Sequence, residues 1–174
     1  MTADTGPSSS AWLAVRSVLW AVLFPGFFAG YVPWRFFGLR QAQVDPASPA
    51  DILGVVFMGL GISLLAACIL EFARSGRGTL SPVDPPRRLV ARGLYQYVRN
   101  PMYLSITTIV LGEVILTGSV GLAVYWALWF LGANAFVIGY EEPTLRARFG
   151  ASYDEYTRRV GRWMPRFRSG GPAA

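Results

Sequence analysis

Three places in the chain combine residue types and spacings that could do chemistry. The first is Glu141-Glu142-Pro143, at the end of a long apolar run. Adjacent carboxylates at a membrane surface are costly unless paired or used. A proline inside a helix removes a hydrogen bond and crowds the turn before it, so a kink or break is expected there. The structural use of this pair would be an i,i+4 contact between Glu142 and Arg146. The chemical uses would be a counter-charge for a cation, or general-base work by Glu142. The second place is Arg99-Asn100-Pro101, with Arg87 and Arg88 upstream and Tyr95, Tyr97 and Tyr103 around it. Asn favours the N-cap and Pro the first helical position, so a helix should begin at Pro101. Its unpaired N–H groups could receive a carboxylate or a phosphate. The plainer alternative is a capped helix with snorkelling arginines and an aromatic belt. The third place is Glu113, about eleven residues into the apolar stretch from Met102. A charge at that depth costs roughly 3 kcal/mol. Glu113 is either a hydrogen-bonded packing residue or a substrate-touching carboxylate, and with Glu142 it is the only candidate base.

The absences narrow the chemistry further. The 174 residues include no histidine, which removes His-based zinc sites and Ser-His-Asp triads, and no metal site is expected. All sixteen basic residues are arginine, which excludes Schiff-base lysine chemistry and suggests a GC-rich, bacterial genome. Cys68 is the single cysteine, so a disulfide framework is excluded. Only 15% of residues are charged and 53% are hydrophobic, too few polar groups to cover a water-facing surface.

The elements that must position these residues are apolar helices. Residues 52–70 run nineteen residues without a charge, enough to cross roughly 30 Å of hydrocarbon. From 102 to 140 only Glu113 is charged, and the TGSVG stretch at 117–121 divides the run into spans near 102–117 and 121–140. A first span over about 11–33 is kinked by Pro25. The expected fold is therefore all-α, an integral-membrane bundle of about four transmembrane helices with a cytoplasmic loop and C-terminal helices. The whole chain, 1–174, reads as one membrane domain, with N-terminal spans in 1–73 and the chemistry in 74–174.

Charge orients the bundle. The 74–100 loop and the tail from 141 hold thirteen of the sixteen arginines, while the opposite side has only Arg35 and Arg40. That asymmetry places loop and tail on the cytoplasmic side of a bacterial inner membrane. The net charge of +6 then argues for anionic lipid headgroups rather than nucleic acid. Within the loop, Gly76-Arg77-Gly78 is a helix stop or a weak phosphate-cradling turn. Beyond Gly150, Ser152-x-x-Glu155 has the pattern of a capping box. The helix it would start places Tyr153, Tyr156 and Val160 on one face, and it should lie along the interface or fold back over the loop.

Five anchors in fixed order resemble a known family. Gly93-x-Tyr95, Arg99-x-Pro101-x-Tyr103, Glu141-Glu142-x-x-Leu145, Phe149-Gly150-x-x-Tyr153-x-x-Tyr156 and a closing Pro165 are similar to the isoprenylcysteine carboxyl methyltransferases. Those integral-membrane enzymes are grouped with the phospholipid methyltransferases, and the resemblance covers residues 87–166. It implies S-adenosyl-L-methionine as cofactor. Arg87, Arg88, Leu89 and Val90 would contact it. Tyr95 and the run Asn100, Pro101, Met102 and Tyr103 would complete the pocket, and Glu141 would bind the amino-acid end. Two departures stand out. Asn100 replaces the family's histidine before the proline. Val137 replaces an arginine that the prenylcysteine enzymes carry one turn before the glutamate, so prenylcysteine is not a safe acceptor.

The expected function is methyl transfer to a lipophilic or membrane-embedded acceptor. A membrane reductase using NADPH, of steroid-reductase type, is one alternative, although its signature keeps the missing histidine. A non-catalytic lipid-binding membrane protein is the other.

Overall fold

The computed structural model describes residues 22–75, 89 and 91–166. Arg87, Arg88, Val90, the Gly76-Arg77-Gly78 turn and the first half of the 11–33 span lie outside these residues. The described residues form helices and turns without a named strand. Helical residues 22–36 make α1; Pro49–Ser75 is α2, Pro101–Thr117 is α3 and Val120–Phe136 is α4. The short helices Glu142–Phe149 and Ala151–Arg159 are α5 and α6.

Two wide turns interrupt the helical ladder, and each has a proline as its cause. The π-helical turns Phe27–Tyr31 and Val137–Glu141 are each followed, two residues later, by Pro33 and Pro143. A proline has no N–H to give the carbonyl four residues back, and its ring crowds that carbonyl. Opening the turn by one residue relieves both, and the residue under each ring is small, Ala29 or Gly139. The break expected at Glu142-Pro143 is thus a widened turn, after which α5 continues directly from α4. In α1 the wide turn follows Pro25, where the kink is expected from sequence, and belongs instead to Pro33.

Helices α2 and α3 pack backbone to backbone. A Cβ on Gly112 would lie 2.6 Å from the Gly54 carbonyl oxygen, and one on Gly61 would lie 2.8 Å from the Ser105 carbonyl oxygen. Gly54, Gly61 and Cys68 repeat every seven residues along α2 and are all buried. Small residues let membrane helices approach closely where no water is left to expel. Helices α3 and α4 form a hairpin around Gly118, whose φ of +59° favours glycine, and the Ser119 hydroxyl caps α4 by accepting from the Leu122 N–H. Trp126 Nε1 donates to the Thr107 carbonyl at 3.0 Å across the hairpin. Helix α1 lies against it through the Tyr125 hydroxyl, which donates to the Phe28 carbonyl at 2.8 Å.

The apolar residues left on the surface say what surrounds the bundle. Residues Pro49–Glu71 and Val120–Phe149 are long and apolar enough to cross a membrane. Leu53, Val56 and Leu60 on α2, and Val124, Leu128 and Leu131 on α4, are about half exposed or more. A bilayer covers such a surface; water would not. Helix α3 is a shorter apolar helix, buried between them along much of its length.

The C-terminal helices fold back over the segment before α3. Tyr153, Tyr156 and Val160 share the buried face expected of them and pack with Leu89, Leu145 and Phe149. The expected capping box is absent: α6 begins at Ala151 behind Gly150, with no side-chain cap. Gly150 has a φ of +53°, and that turn already sets the helix start.

Candidate functional site

The site lies where the N-terminus of α3 meets the widened end of α4. Pro101 starts α3 as the sequence requires. Asn100 precedes it, but its side chain makes no capping bond; Nδ2 donates instead to the Arg162 carbonyl at 3.3 Å. The first-turn N–H groups of α3 therefore keep their partial positive charge without a side-chain cap.

Residues 160–166, after α6, form a strap across this point. The Arg99 N–H donates to the Gly161 carbonyl at 2.9 Å, and Val98 and Gly161 make a parallel bridge. The Tyr156 hydroxyl donates to the Tyr95 carbonyl at 2.6 Å, fastening α6 to the Gly93-x-Tyr95 anchor. Gly93 itself has a φ of +56°, and a Cβ there would meet the Glu71 carboxylate at 2.9 Å. That anchor needs glycine twice over, for its backbone and for its neighbour.

The two adjacent glutamates face different partners, because successive residues on a helix point about 100° apart. Glu141 accepts a hydrogen bond from the Tyr103 hydroxyl at 3.3 Å. Glu142, buried, takes Arg99 at 2.9 Å and Arg162 in a two-pronged pair at 2.7 and 2.9 Å. Arg146, the partner expected for Glu142, instead pairs with Asp154 at 2.8 Å. Arg162, which the sequence places no nearer the site than any other tail arginine, is thus the residue the sequence reading missed. Its only local signal is the closing Arg162-x-x-Pro165 spacing.

Charge at the site is divided. Arg99 and Arg162 bring two positive charges to one carboxylate, leaving an excess of one beside the α3 N-terminus. Buried Arg99 Nε has no hydrogen-bond partner among the described residues. The neighbouring Glu141 supplies the opposite sign. Burial pushes the Tyr95 phenol well above its usual value, and Glu141 and Tyr103 are among the groups close enough to push it further. The site therefore offers a positive and a negative end on adjacent residues, the complement of a zwitterion.

Of the residues expected in the site, Tyr95, Asn100, Pro101, Met102, Tyr103 and Glu141 converge here, and Leu89 lies in the α6 cluster behind. Glu113 does not join them. It is ten residues from Tyr103 on the same helix, about 15 Å at the usual rise per residue. It is buried, and its Oε2 has no partner among the described residues. Aromatic rings complete the surround: Trp129 and Trp163 each lie 6.4 Å from the Tyr103 ring. Among the described residues no cluster of His, Cys, Asp and Glu could hold a metal ion.

No curated protein matches the chain. A family model described as phospholipid methyltransferase matches residues 50–152, from the start of α2 into α6, taking in both glutamates and the Arg99-to-Tyr103 anchor. With well over half its length matched, and with those anchors assembled around one divided-charge site, the chain belongs to the phospholipid methyltransferase family.

Proposed function

We propose that this protein transfers a methyl group from S-adenosylmethionine to a lipophilic acceptor that reaches the site from the bilayer. The observation that carries the reading is the juxtaposition of Glu141 with the net-positive Arg99–Glu142–Arg162 cluster at the α3 N-terminus. An α-amino acid end is a zwitterion, and each of its charges has a partner there. The ammonium suits Glu141, oriented by Tyr103. The carboxylate suits the α3 N–H groups and the unmet Arg99 Nε. When bound, that cofactor supplies an electrophilic methyl group on a sulfonium. The protein's own work is positioning and exclusion of water, which the Tyr103, Trp129 and Trp163 rings favour. A carboxylate or thiolate acceptor needs no base, and a neutral amine loses its proton after transfer, so a histidine-free site suffices.

Calorimetric titration of the solubilised protein with S-adenosylhomocysteine and, separately, NADPH tests the reading. Saturable binding of the first alone is expected; binding of NADPH alone would turn the assignment to a reductase. The arginine asymmetry further assigns the site to the cytoplasmic face. On a Cys68→Ala background, Arg92→Cys should resist an impermeant thiol reagent in intact cells and react once the membrane is opened.

A further inference from the structure

We propose that Trp163, latched to Asn134, is a positioning residue for the acceptor; this rests on the methyl-transfer reading above. Asn134 lies in apolar α4, seven residues before Glu141 and so about 10 Å deeper in the membrane. A polar side chain at that depth needs a partner, and Asn134 finds it outside the bundle helices. Trp163 Nε1 donates to Asn134 Oδ1 at 2.9 Å.

The strap does not need this bond to stay in place. Its cytoplasmic end is fixed separately by the Arg162–Glu142 pair, the Asn100–Arg162 bond and the Val98–Gly161 bridge. The second attachment, deeper along α4, fixes the indole. It holds the ring 5.2 Å from Phe130 and edge-on to Tyr103, whose hydroxyl donates to Glu141. Trp163 thus fills the groove between α3 and α4 on the membrane side of the charged site. A lipophilic molecule moving along α4 meets the indole before it meets Tyr103 and Glu141. The latched ring sets how deep, and at what angle, the acceptor's reactive group stops.

The test uses the full chain in mixed micelles containing the polar lipids of its expression host, with methyl-labelled S-adenosylmethionine. Trp163→Phe keeps a ring and loses the N–H; Asn134→Leu keeps the size and loses the acceptor. Each should raise the lipid concentration for half-maximal transfer about fivefold or more, as losing one buried hydrogen bond at an acceptor-facing residue does. S-Adenosylhomocysteine affinity should stay near that of the parent, and the thermal midpoint should fall by no more than the loss of one hydrogen bond accounts for. The double variant should be no worse than either single one, since both break the same bond. Equal weakening of cofactor and acceptor, additive effects, or no change in either overturns the proposal. A parent that binds S-adenosylhomocysteine but labels no lipid also overturns it and leaves the cofactor reading standing. A parent that binds no S-adenosylhomocysteine overturns both.

Discussion

The seam between α2 and α3 and the cap made by α5, α6 and the strap are held together by opposite means. The seam has glycine against backbone, with Gly54, Gly61 and Gly112 removing every obstacle to close approach. The cap has a buried carboxylate bound by two guanidinium groups and an aromatic cluster around Tyr153 and Tyr156. The difference follows from the solvent each region leaves behind. Lipid tails are as apolar as the side chains they would release, so the seam gains from dispersion and needs contact over many atoms. The cap folds out of water, where burying tyrosine and leucine is itself favourable, and ion pairs fix its register. The seam should therefore fail by steric intrusion and the cap by loss of charge.

The largest effect should come from intrusion. Gly112→Leu drives a side chain into the Gly54 carbonyl and Met58, and should cost about 3 kcal/mol or leave no folded protein in detergent. Gly59→Leu on the facing helix α2, where nothing lies within 4 Å of the added atom, should behave like the parent in size exclusion and thermal melting. If both variants melt alike, close approach is not what holds the seam.

Charge removal in the cap comes next. Glu142→Ala leaves Arg99 and Arg162 facing each other without a counter-ion and should cost about 2–3 kcal/mol, below the fully buried range because Arg162 is partly exposed. Faster trypsin cleavage at Arg158, Arg159 or Arg166, with the bundle intact, would localise the damage to the cap. Glu141→Gln should separate function from stability. It should melt like the parent and bind S-adenosylhomocysteine about tenfold more weakly or worse, since roughly 1.4 kcal/mol is one decade. Unchanged affinity would return Glu141 to a structural role.

The smallest effect concerns the tyrosines. Tyr156→Phe deletes the bond to the Tyr95 carbonyl and should cost about 1 kcal/mol. Burial raises the phenols of Tyr95, Tyr153 and Tyr156 above their ordinary value of 10.0. Their contribution to stability is therefore complete below about pH 10 and is lost as pH climbs toward the folded-state values. Melting midpoints should decline above pH 10 in the parent, and less steeply in Tyr156→Phe. An identical alkaline decline in both would remove Tyr156 from the cause.

Much of this was legible in the residues, for reasons that differ along the chain. Pro101 and the Gly118-Ser119 turn appear where expected, because proline and left-handed glycine act through their own backbone. The Tyr153, Tyr156 and Val160 face followed from helical spacing alone. The Ser152–Glu155 capping box failed because Gly150 had already set the helix start two residues earlier. Asn100 failed as a cap because its amide found the Arg162 carbonyl, sixty-two residues away. The Glu142–Arg146 pair failed because two better-placed arginines were waiting and Asp154 competed for Arg146.

The sequence by itself determined the class of molecule: apolar helices, an arginine-rich side, no histidine, and five anchors in family order. Hydropathy, propensity and composition are local or summed properties, readable without knowing which segments touch. The tertiary structure alone decided what each of the two adjacent glutamates does. They are identical in type and one residue apart, so only the partners on α3 and the strap distinguish them. One accepts a hydrogen bond from Tyr103, and the other is paired with Arg99 and Arg162. No local rule sees a partner that arrives from another helix.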